Sequence, residues 1–272
     1  MSQNVPLKSL QKSRFSYIVK NKGHVHSAVQ PLYLRPVFRL NSVSMKHFLA
    51  FLTLLVATSV AVFGQNSETR SVGPFSGIKA SEGIDVFIKK GSKESVRVEA
   101  TGTSLDNIIT EVSGSYLRVH MRSGNYKGRV DAKVYVTYVM VDKISASSAG
   151  SVFGEGTLEA DEIELSAASA GSIEIDVRSQ LVEAGASSAG QIEVQGKTKK
   201  FRVDASGAGQ VDAYGLDAQE VTAEASGAGS IKLTVGDDLE ARASSGGSIR
   251  YHGNPNNSNT NSSSGGSVKK SN

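Results

Sequence analysis

From residue 142 onward, small and β-branched residues recur along the chain at a nearly fixed interval. A corner of small residues, such as SSAGSV or SGAGSI, occurs seven times. Each corner contains an Ala-Gly or Gly-Gly pair, and the second residues of successive pairs are 21, 19, 19, 20, 18 and 19 residues apart. Copies at such constant spacing predict a repeat architecture. The glycines that mark them are Gly150, Gly171, Gly190, Gly209, Gly229, Gly247 and Gly266.

Two positions around each corner glycine predict the faces of buried strands. Two residues after the glycine stands Val or Ile in every copy, and four residues before it stands Ala, or Ser262 in the last copy. Upstream of the Ala, apolar and polar residues alternate, as in residues 201–205, which is typical of a strand. The glycine is expected to need a positive φ at a tight bend, where a Cβ would clash. Each period is therefore predicted to be a strand, a compact corner, a second strand and a return.

A unit of this size cannot bury its own apolar face, so neighbouring units must stack. The pattern predicts an all-β fold, a right-handed parallel β-helix (β-solenoid) with about 19–20 residues per coil. There are two alternatives. One is a β-propeller, but its blade needs about 40–45 residues, roughly twice this period. The other is an antiparallel sandwich. Residues 72–141 contain strand-like runs without a period. We expect this irregular β part to cap the open end of the solenoid.

The beginning of the chain has the layout of a secretory signal. Residues 45–47 are a short basic start, and an apolar run over 48–63 ends at Gly64. This layout predicts a signal peptide over residues 45–64, with Gln65 as the mature N-terminus. A buried or membrane-anchoring helix is the alternative, but the run of 16 residues is shorter than the ~20 that span a bilayer.

Residues 1–44 are basic, contain three prolines and show no period of a helix or a strand. We interpret them as a mis-assigned upstream start or as a targeting leader, and the signal layout that begins at Met45 favours the first interpretation. The rest of the predicted organisation is a short tail over 65–71, one domain over 72–268 with parts 72–141 and 142–268, and a C-terminal end over 269–272.

Charge and composition exclude several classes of function once they are divided by position. The net charge is +4, but residues 1–64 hold eight Lys or Arg and no acid. Residues 65–272 have 22 Lys or Arg against 26 Asp or Glu, a net charge of −4, which argues against a nucleic-acid partner. The absence of cysteine excludes disulfides, a thiolate metal site and a Cys nucleophile. The corner serines are turn formers, so no nucleophilic catalytic constellation is predicted.

A further column stands three residues after each corner glycine; it is Phe153 in the first copy and a charged residue in the other six. It alternates with the buried Val and Ile, so we expect it to face solvent. One hypothesis is that Glu174, Glu193 and Asp212 attract a hard cation such as Ca²⁺, although three carboxylates fill only part of its shell of about 6–8 oxygens. The bases that follow would then contact an anionic glycan or surface, and a solvated charged face is the alternative. These bases are Lys232, Arg250 and Lys269.

Several stretches of the sequence resemble the head GIN domain family of auto-transporter adhesins. The resemblance covers roughly residues 72–268. It implies a right-handed β-helix that is exported from the cytoplasm, and it carries no catalytic motif onto this sequence. The stretches are Pro74–Ile78, Gly83–Val86, Val134–Val136, Ile144–Gly150, the repeated Ser-Gly-Ala-Gly corners, Gly253–Pro255 and Gly265–Val268.

These observations favour an exported, non-catalytic β-solenoid in the periplasm, at the cell surface or outside the cell. It is expected to be a binding or adhesin-like module without a cofactor, whose partner is a glycan or a protein, and with no transmembrane segment in the mature chain. One alternative is a carbohydrate-active β-helix that binds or cleaves polysaccharides, because stacked coils bring carboxylates close to the separation that glycosidases use. The other alternative is a purely structural protein of the cell envelope.

The C-terminal stretch 254–264 has the Asn- and Ser-rich composition of a disordered linker. The repeat predicts a different structure, because Gly247 and Gly266 are separated by one full period. We therefore expect this stretch to form the return and the first strand of a last coil, with Val268 packed against Ile249.

Overall fold

The structure is a computed structural model and describes residues 66–271. Their regular secondary structure is β-strand, apart from one short 3-10 helix at Leu105–Asn107. Their seventeen strands form one continuous hydrogen-bonded sheet around a common core. The strands are β1 (Asn66–Arg70), β2 (Gly77–Ala80), β3 (Asp85–Lys90), β4 (Ser95–Thr101), β5 (Ile108–Ser113), β6 (Tyr116–Met121), β7 (Asp131–Tyr138), β8 (Lys143–Ala146), β9 (Ser151–Glu159), β10 (Glu162–Ala168), β11 (Ser172–Ser187), β12 (Gln191–Ala205), β13 (Gln210–Ala225), β14 (Ser230–Ala243), β15 (Ser248–His252), β16 (Asn257–Ser262) and β17 (Ser267–Lys270).

The repeat region is a parallel β-solenoid, which confirms the fold predicted from the period. Each strand pairs in parallel with its equivalent one coil away. Between β11 and β12, Ile173 lies opposite Ile192 and Ala186 lies opposite Ala205, so the pairing follows the repeat of the sequence. Strands β11 to β14 are long because each runs through the return between two corners without leaving the sheet.

Two columns of apolar side chains fill the coils. The Val or Ile two residues after each corner glycine is at most 2 % exposed from Val152 to Ile249, and Val268 in the last coil is half-buried. The small residue four positions before the glycine is equally buried from Ala146 to Ala243 and becomes the exposed Ser262 in the last coil. Side chains of constant size at equivalent positions let every coil stack on the next without a gap.

The corner glycines are set by the close approach of neighbouring coils and not by their own φ. Positive φ falls at the residues before the glycine, for example at Ser169 (49°) and Ala170 (62°), whereas Gly171 is outside that region. A Cβ on Gly171 would lie 2.3 Å from the carbonyl oxygen of Ala146 in the preceding coil. The expectation of a positive φ in this column is therefore wrong. The clash that was expected does occur, but with the neighbouring coil.

The N-terminal part caps the solenoid, as predicted, and also extends it. β2 and β3 pair with β8 and β9 in the corner register, with Ala80 opposite Ala146 and Val86 opposite Val152. β6 and β7 form the layer below β2 and β3. The end is then closed by antiparallel strands, because β4 pairs with β7, β5 with β6 and β1 with β4. The additional corner between β2 and β3 lacks the Ala-Gly or Gly-Gly pair of the repeat and was not predicted from the sequence.

The Asn- and Ser-rich tail forms the last coil, so its predicted register is confirmed. β16 pairs with β14, β17 pairs with β15, and Val268 lies opposite Ile249. The inner columns of β14 continue in β16 as hydroxyl-bearing residues, which are exposed. Polar side chains at these positions let the end of the core face water. They are Ser258, Thr260 and Ser262.

The predicted leader, the signal peptide and the cleavage site fall on residues 1–65 and lie outside the described residues. Within residues 66–271, no helix is long and apolar enough to cross a membrane. The domain boundaries drawn from the sequence, within the first 65 residues and after them, stay predictions.

Candidate functional site

The outward column three residues after the corners forms one ladder along the solenoid. Its seven predicted members are direct cross-strand neighbours, in chain order. The structure adds Phe87 and Tyr135 below Phe153. Neighbouring members are separated by one strand spacing of about 4.8 Å. The ladder therefore contains three aromatic residues, three acids and three bases, in the order Tyr135, Phe87, Phe153, Glu174, Glu193, Asp212, Lys232, Arg250 and Lys269.

The aromatic third of the ladder is stacked on itself. The ring of Phe87 lies between Tyr135 and Phe153, with 5.2 Å between ring centroids on each side and interplanar angles of 19° and 22°. The guanidinium of Arg97 lies 4.0 Å from the centroid of Tyr135. Both faces of Phe87 are therefore covered by rings, and Tyr135 is contacted by Phe87 and by Arg97. This group was not predicted from the sequence, because Phe87 and Tyr135 come from the part without a period.

The acidic third places the three predicted metal ligands on neighbouring strands. Glu174 and Glu193 are exposed, and Asp212 is half-buried. Lys232 Nζ donates a hydrogen bond to Asp212 Oδ2 at 2.8 Å, and this contact raises the pKa of Lys232. Within residues 66–271, no group of three or more His, Cys, Asp or Glu side chains is placed to hold a metal ion. Calcium binding by this column stays a prediction without support from side-chain geometry.

The basic third lies on the last three coils and is flanked by polar columns. Lys232, Arg250 and Lys269 stack on β14, β15 and β17. Two residues before each base is an outward serine, so a column of hydroxyls runs beside the column of cations. We call this surface the basic face. It consists of Ser230, Lys232, Ser248, Arg250, Ser267 and Lys269.

A stacked ring pair borders the basic face. The ring of His252 lies on Tyr214, with 4.1 Å between centroids and an interplanar angle of 12°. The hydroxyl of Tyr214 is 3.0 Å from Ser271 Oγ, and its ring is 5.8 Å from Lys232 Nζ. Tyr214 lies where the pairing of β13 with β14 shifts its register. Such a shift re-aims a side chain, and it is not visible in the repeat pattern.

A shallow groove on another face brings acids together. Asp204 and Glu224 are cross-strand neighbours on β12 and β13, and Gly185 precedes them in the same column. The groove has a volume of about 380 Å³, and Arg202 also lines it. Burial raises the pKa of Asp204, and the neighbouring charge of Glu224 raises it further. Glu224 is itself paired with Arg242 at 3.3 Å.

Exposed apolar side chains mark a second cleft. Met140 is 63 % exposed and Val139 is 41 % exposed, in the connection between β7 and β8. Met140 lines a cleft of about 630 Å³ together with Asp142, Glu159, Asp161, Glu162 and Arg178. Glu159 is engaged by Lys90 at 3.4 Å and by Arg178 at 3.6 Å, so part of its charge is already neutralised.

The two histidines of the predicted mature chain are not brought together. His120 is on β6, with its Nδ1 2.9 Å from the carbonyl oxygen of Met121 and its Nε2 3.7 Å from Glu111. His252 is on β15, near the opposite end of the solenoid, and stacks on Tyr214. Each ring is therefore part of a local contact.

The fold and its ladder of outward side chains define a parallel β-solenoid with continuous exposed faces. Residues 74–255 match the family described as "Putative auto-transporter adhesin, head GIN domain". The chain belongs to this family, which confirms the resemblance noted in the sequence. Among curated proteins, none matches this chain.

Solved structures share the architecture at low sequence identity. A "putative adhesin" from Bacteroides fragilis has a TM-score of 0.68 and 20 % identity, and the match covers 75 % of this chain and 96 % of that one. A "putative adhesin" from Parabacteroides merdae has a TM-score of 0.61 and 17 % identity, with 76 % and 95 % covered. A "putative lipid binding protein" from Parabacteroides distasonis has a TM-score of 0.57 and 18 % identity, with 76 % and 97 % covered. At these identities the similarity shows the fold.

Proposed function

We propose that the mature protein is an exported, non-catalytic binding module of the cell surface or periplasm that attaches to its ligand through the outward faces of its coils. The observation that carries this proposal is the in-register ladder, in which side chains of the same charge stand on consecutive strands. Membership of an adhesin family supports it.

A stacked solenoid suits this role for a physical reason. Every coil is held by its neighbours through backbone hydrogen bonds, so the outward side chains keep a fixed spacing without ligand. A ligand that runs along the axis meets several equivalent contacts in succession. Contacts on a rigid surface add with little further loss of conformational entropy, which favours binding to an extended ligand.

Export is tested by expressing the full chain with a C-terminal tag and sequencing the N-terminus of the protein recovered outside the cytoplasm. We expect Gln65 as the first residue. An exported protein that begins well before residue 65, or a tagged chain retained in the cytoplasm, contradicts the proposal.

Binding is tested by applying the purified chain of residues 65–272 to a glycan array and to immobilised envelope proteins, beside a screen for degradation of the same polysaccharides. We expect retention on a defined ligand and no turnover. Release of new reducing ends at a catalytic rate would show an enzyme. The absence of any ligand, combined with an envelope defect in a deletion strain, would favour the purely structural alternative.

A second candidate function, cleavage of a polysaccharide, is favoured by the pair Asp204 and Glu224. A glycosidase uses one carboxyl that keeps its proton and one that is ionised, separated by about 5–10 Å. Burial raises the pKa of Asp204, and Glu224 is its cross-strand neighbour in the same groove. If the screen detects cleavage, Glu224→Gln should abolish it, and Glu155→Gln, an exposed site outside the groove, should leave it unchanged.

A further inference from the structure

We propose that the basic face binds a linear polysaccharide that carries a carboxylate on each sugar, with the chain lying along the solenoid axis. This inference rests on the proposed binding function and names the class of ligand.

The cations on this face are available to a ligand to different degrees. Arg250 and Lys269 are exposed, and no carboxylate within residues 66–271 forms an ion pair with either. Lys232 is held by Asp212 at 2.8 Å, which fixes its position on the face and neutralises part of its charge. Arg250 and Lys269 are therefore the main contacts, and Lys232 extends their column by one strand.

The spacing of the face fits an extended sugar chain. Consecutive cations are separated by one strand spacing of about 4.8 Å, which is close to the length of one hexose in a linear polysaccharide. A chain with one carboxylate per sugar therefore has an axial charge spacing close to the spacing of Lys232, Arg250 and Lys269. The guanidinium of Arg250 can bind a carboxylate through two parallel hydrogen bonds.

The neighbouring columns provide the remaining contacts of a sugar. Ser230, Ser248 and Ser267 form a line of hydroxyls beside the cations, at the same spacing. Hydroxyls of this kind can donate to and accept from the hydroxyl groups of a sugar. On the other side, His252 and Tyr214 form a ring pair next to the face. The surface thus combines cations, hydroxyls and rings within three coils.

The same ladder limits how far such a ligand can extend. Beyond Lys232 the column continues with Asp212, Glu193 and Glu174, whose carboxylates repel a polyanion. The favourable region covers three strands, so we expect a footprint of three sugars. A longer chain gains little further affinity because its additional carboxylates meet acids or leave the solenoid.

The test uses the chain of residues 65–272 and trigalacturonate as the probe, with affinity measured by calorimetry at low salt. We expect binding that weakens as salt is raised and that is lost for the methyl-esterified trisaccharide, which has no charge. The double variant Arg250→Gln/Lys269→Gln should lower the affinity about tenfold or more. The matched control Lys197→Gln/Lys199→Gln removes the same charge from exposed sites on β12 and should leave the affinity unchanged.

Three results overturn the inference. Equal losses in the two double variants would show a response to net charge alone. Equal affinity for a single-stranded oligonucleotide of the same charge would show ion exchange without a fit to the sugar. If the protein is retained on another glycan and Arg250→Gln/Lys269→Gln has no effect on that retention, the basic face is not the binding site. The proposed binding function would then still stand. The melting temperatures of both double variants should equal that of the unmodified chain, so that the affinities compared are those of folded protein.

Discussion

Ile84 occupies in the coil of β2 and β3 the position that Gly150 occupies one coil later. Ser151 N donates to Ile84 O at 2.9 Å, and Ser172 N donates to Gly150 O at 3.0 Å, so the two residues make equivalent hydrogen bonds between coils. A Cβ on Gly150 would lie 2.7 Å from Ser81 N, whereas the side chain of Ile84 is fully buried without such an obstacle. In the layer below Ile84, the connection between β6 and β7 spans residues 122–130 and is longer than the corner between β2 and β3.

This relationship gives a first prediction. Ile84→Ala should lower the free energy of unfolding by about 2–5 kcal/mol, because a fully buried aliphatic side chain is removed from the base of the solenoid. Chemical denaturation measures the change. A loss under about 0.5 kcal/mol, as at an exposed position, would contradict the assigned burial of Ile84.

The second prediction concerns the reason for the corner glycines. Gly190→Ala should lower the free energy of unfolding by about 1–3 kcal/mol, because its Cβ would lie 2.2 Å from the carbonyl oxygen of Ala167. Ser188→Gly is the matched control, since Ser188 has a φ of 48° that glycine adopts freely. We expect this control to be neutral or slightly stabilising in the same denaturation experiment. A control that destabilises as much as Gly190→Ala would contradict the distinction.

The third prediction concerns the last coil. Deletion of residues 254–272 should lower the melting temperature, because it removes β16 and β17 and uncovers Ile249, which is fully buried in the complete chain. Calorimetry compares the deletion with a chain that lacks only residue 272. Equal melting of the two chains would show that the last coil contributes nothing to stability.

The fourth prediction concerns the stacked aromatic rings. A double-mutant cycle with Phe87→Leu and Phe153→Leu should give a coupling energy of about 0.5–1.5 kcal/mol, because the two rings are in direct contact. Phe87 and Phe201 provide a control pair, since Phe201 is buried on a different strand and is not stacked on Phe87. Additive changes for Phe87 and Phe153 would show that the contact carries no energy of its own.

The fifth prediction concerns the dependence of stability on pH at Asp204. Its pKa is raised in the folded protein above the ordinary value of 3.8, first by burial and second by Glu224, so the folded state keeps the proton to a higher pH than the unfolded state. The contribution of this group to stability is therefore largest below pH 3.8. This contribution decreases as the pH rises through the folded pKa, and above that pKa it does not change further.

Two measurements check this sign. Carboxyl NMR titration should show that Glu224→Gln lowers the pKa of Asp204 but leaves it above the ordinary value, because burial remains. Denaturation at a series of acidic pH values should show a smaller fall of stability with rising pH in Asp204→Asn than in the unmodified chain. A pKa of Asp204 that does not respond to Glu224→Gln would contradict the second cause.

The repeat by itself determined the architecture, the register and the inner and outer columns. Identical units of about nineteen residues must stack in register, because only then do equivalent apolar side chains bury one another. The pairing of Val268 with Ile249 across a polar tail followed from spacing alone. The order of charges along the outward column followed in the same way, since strand side chains alternate between the two faces.

The tertiary structure decided what depends on contacts between distant parts of the chain. The place of β2 and β3 between β6–β7 and β8–β9 has no periodic signal, because the intervening strands close the end by antiparallel pairing. The role of Gly171 depends on the distance to Ala146 in another coil, which its own sequence neighbours do not set. The pair of Tyr214 and His252 depends on a register shift between strands. Such features arise where coils meet, and a local sequence pattern does not determine the distance between two coils.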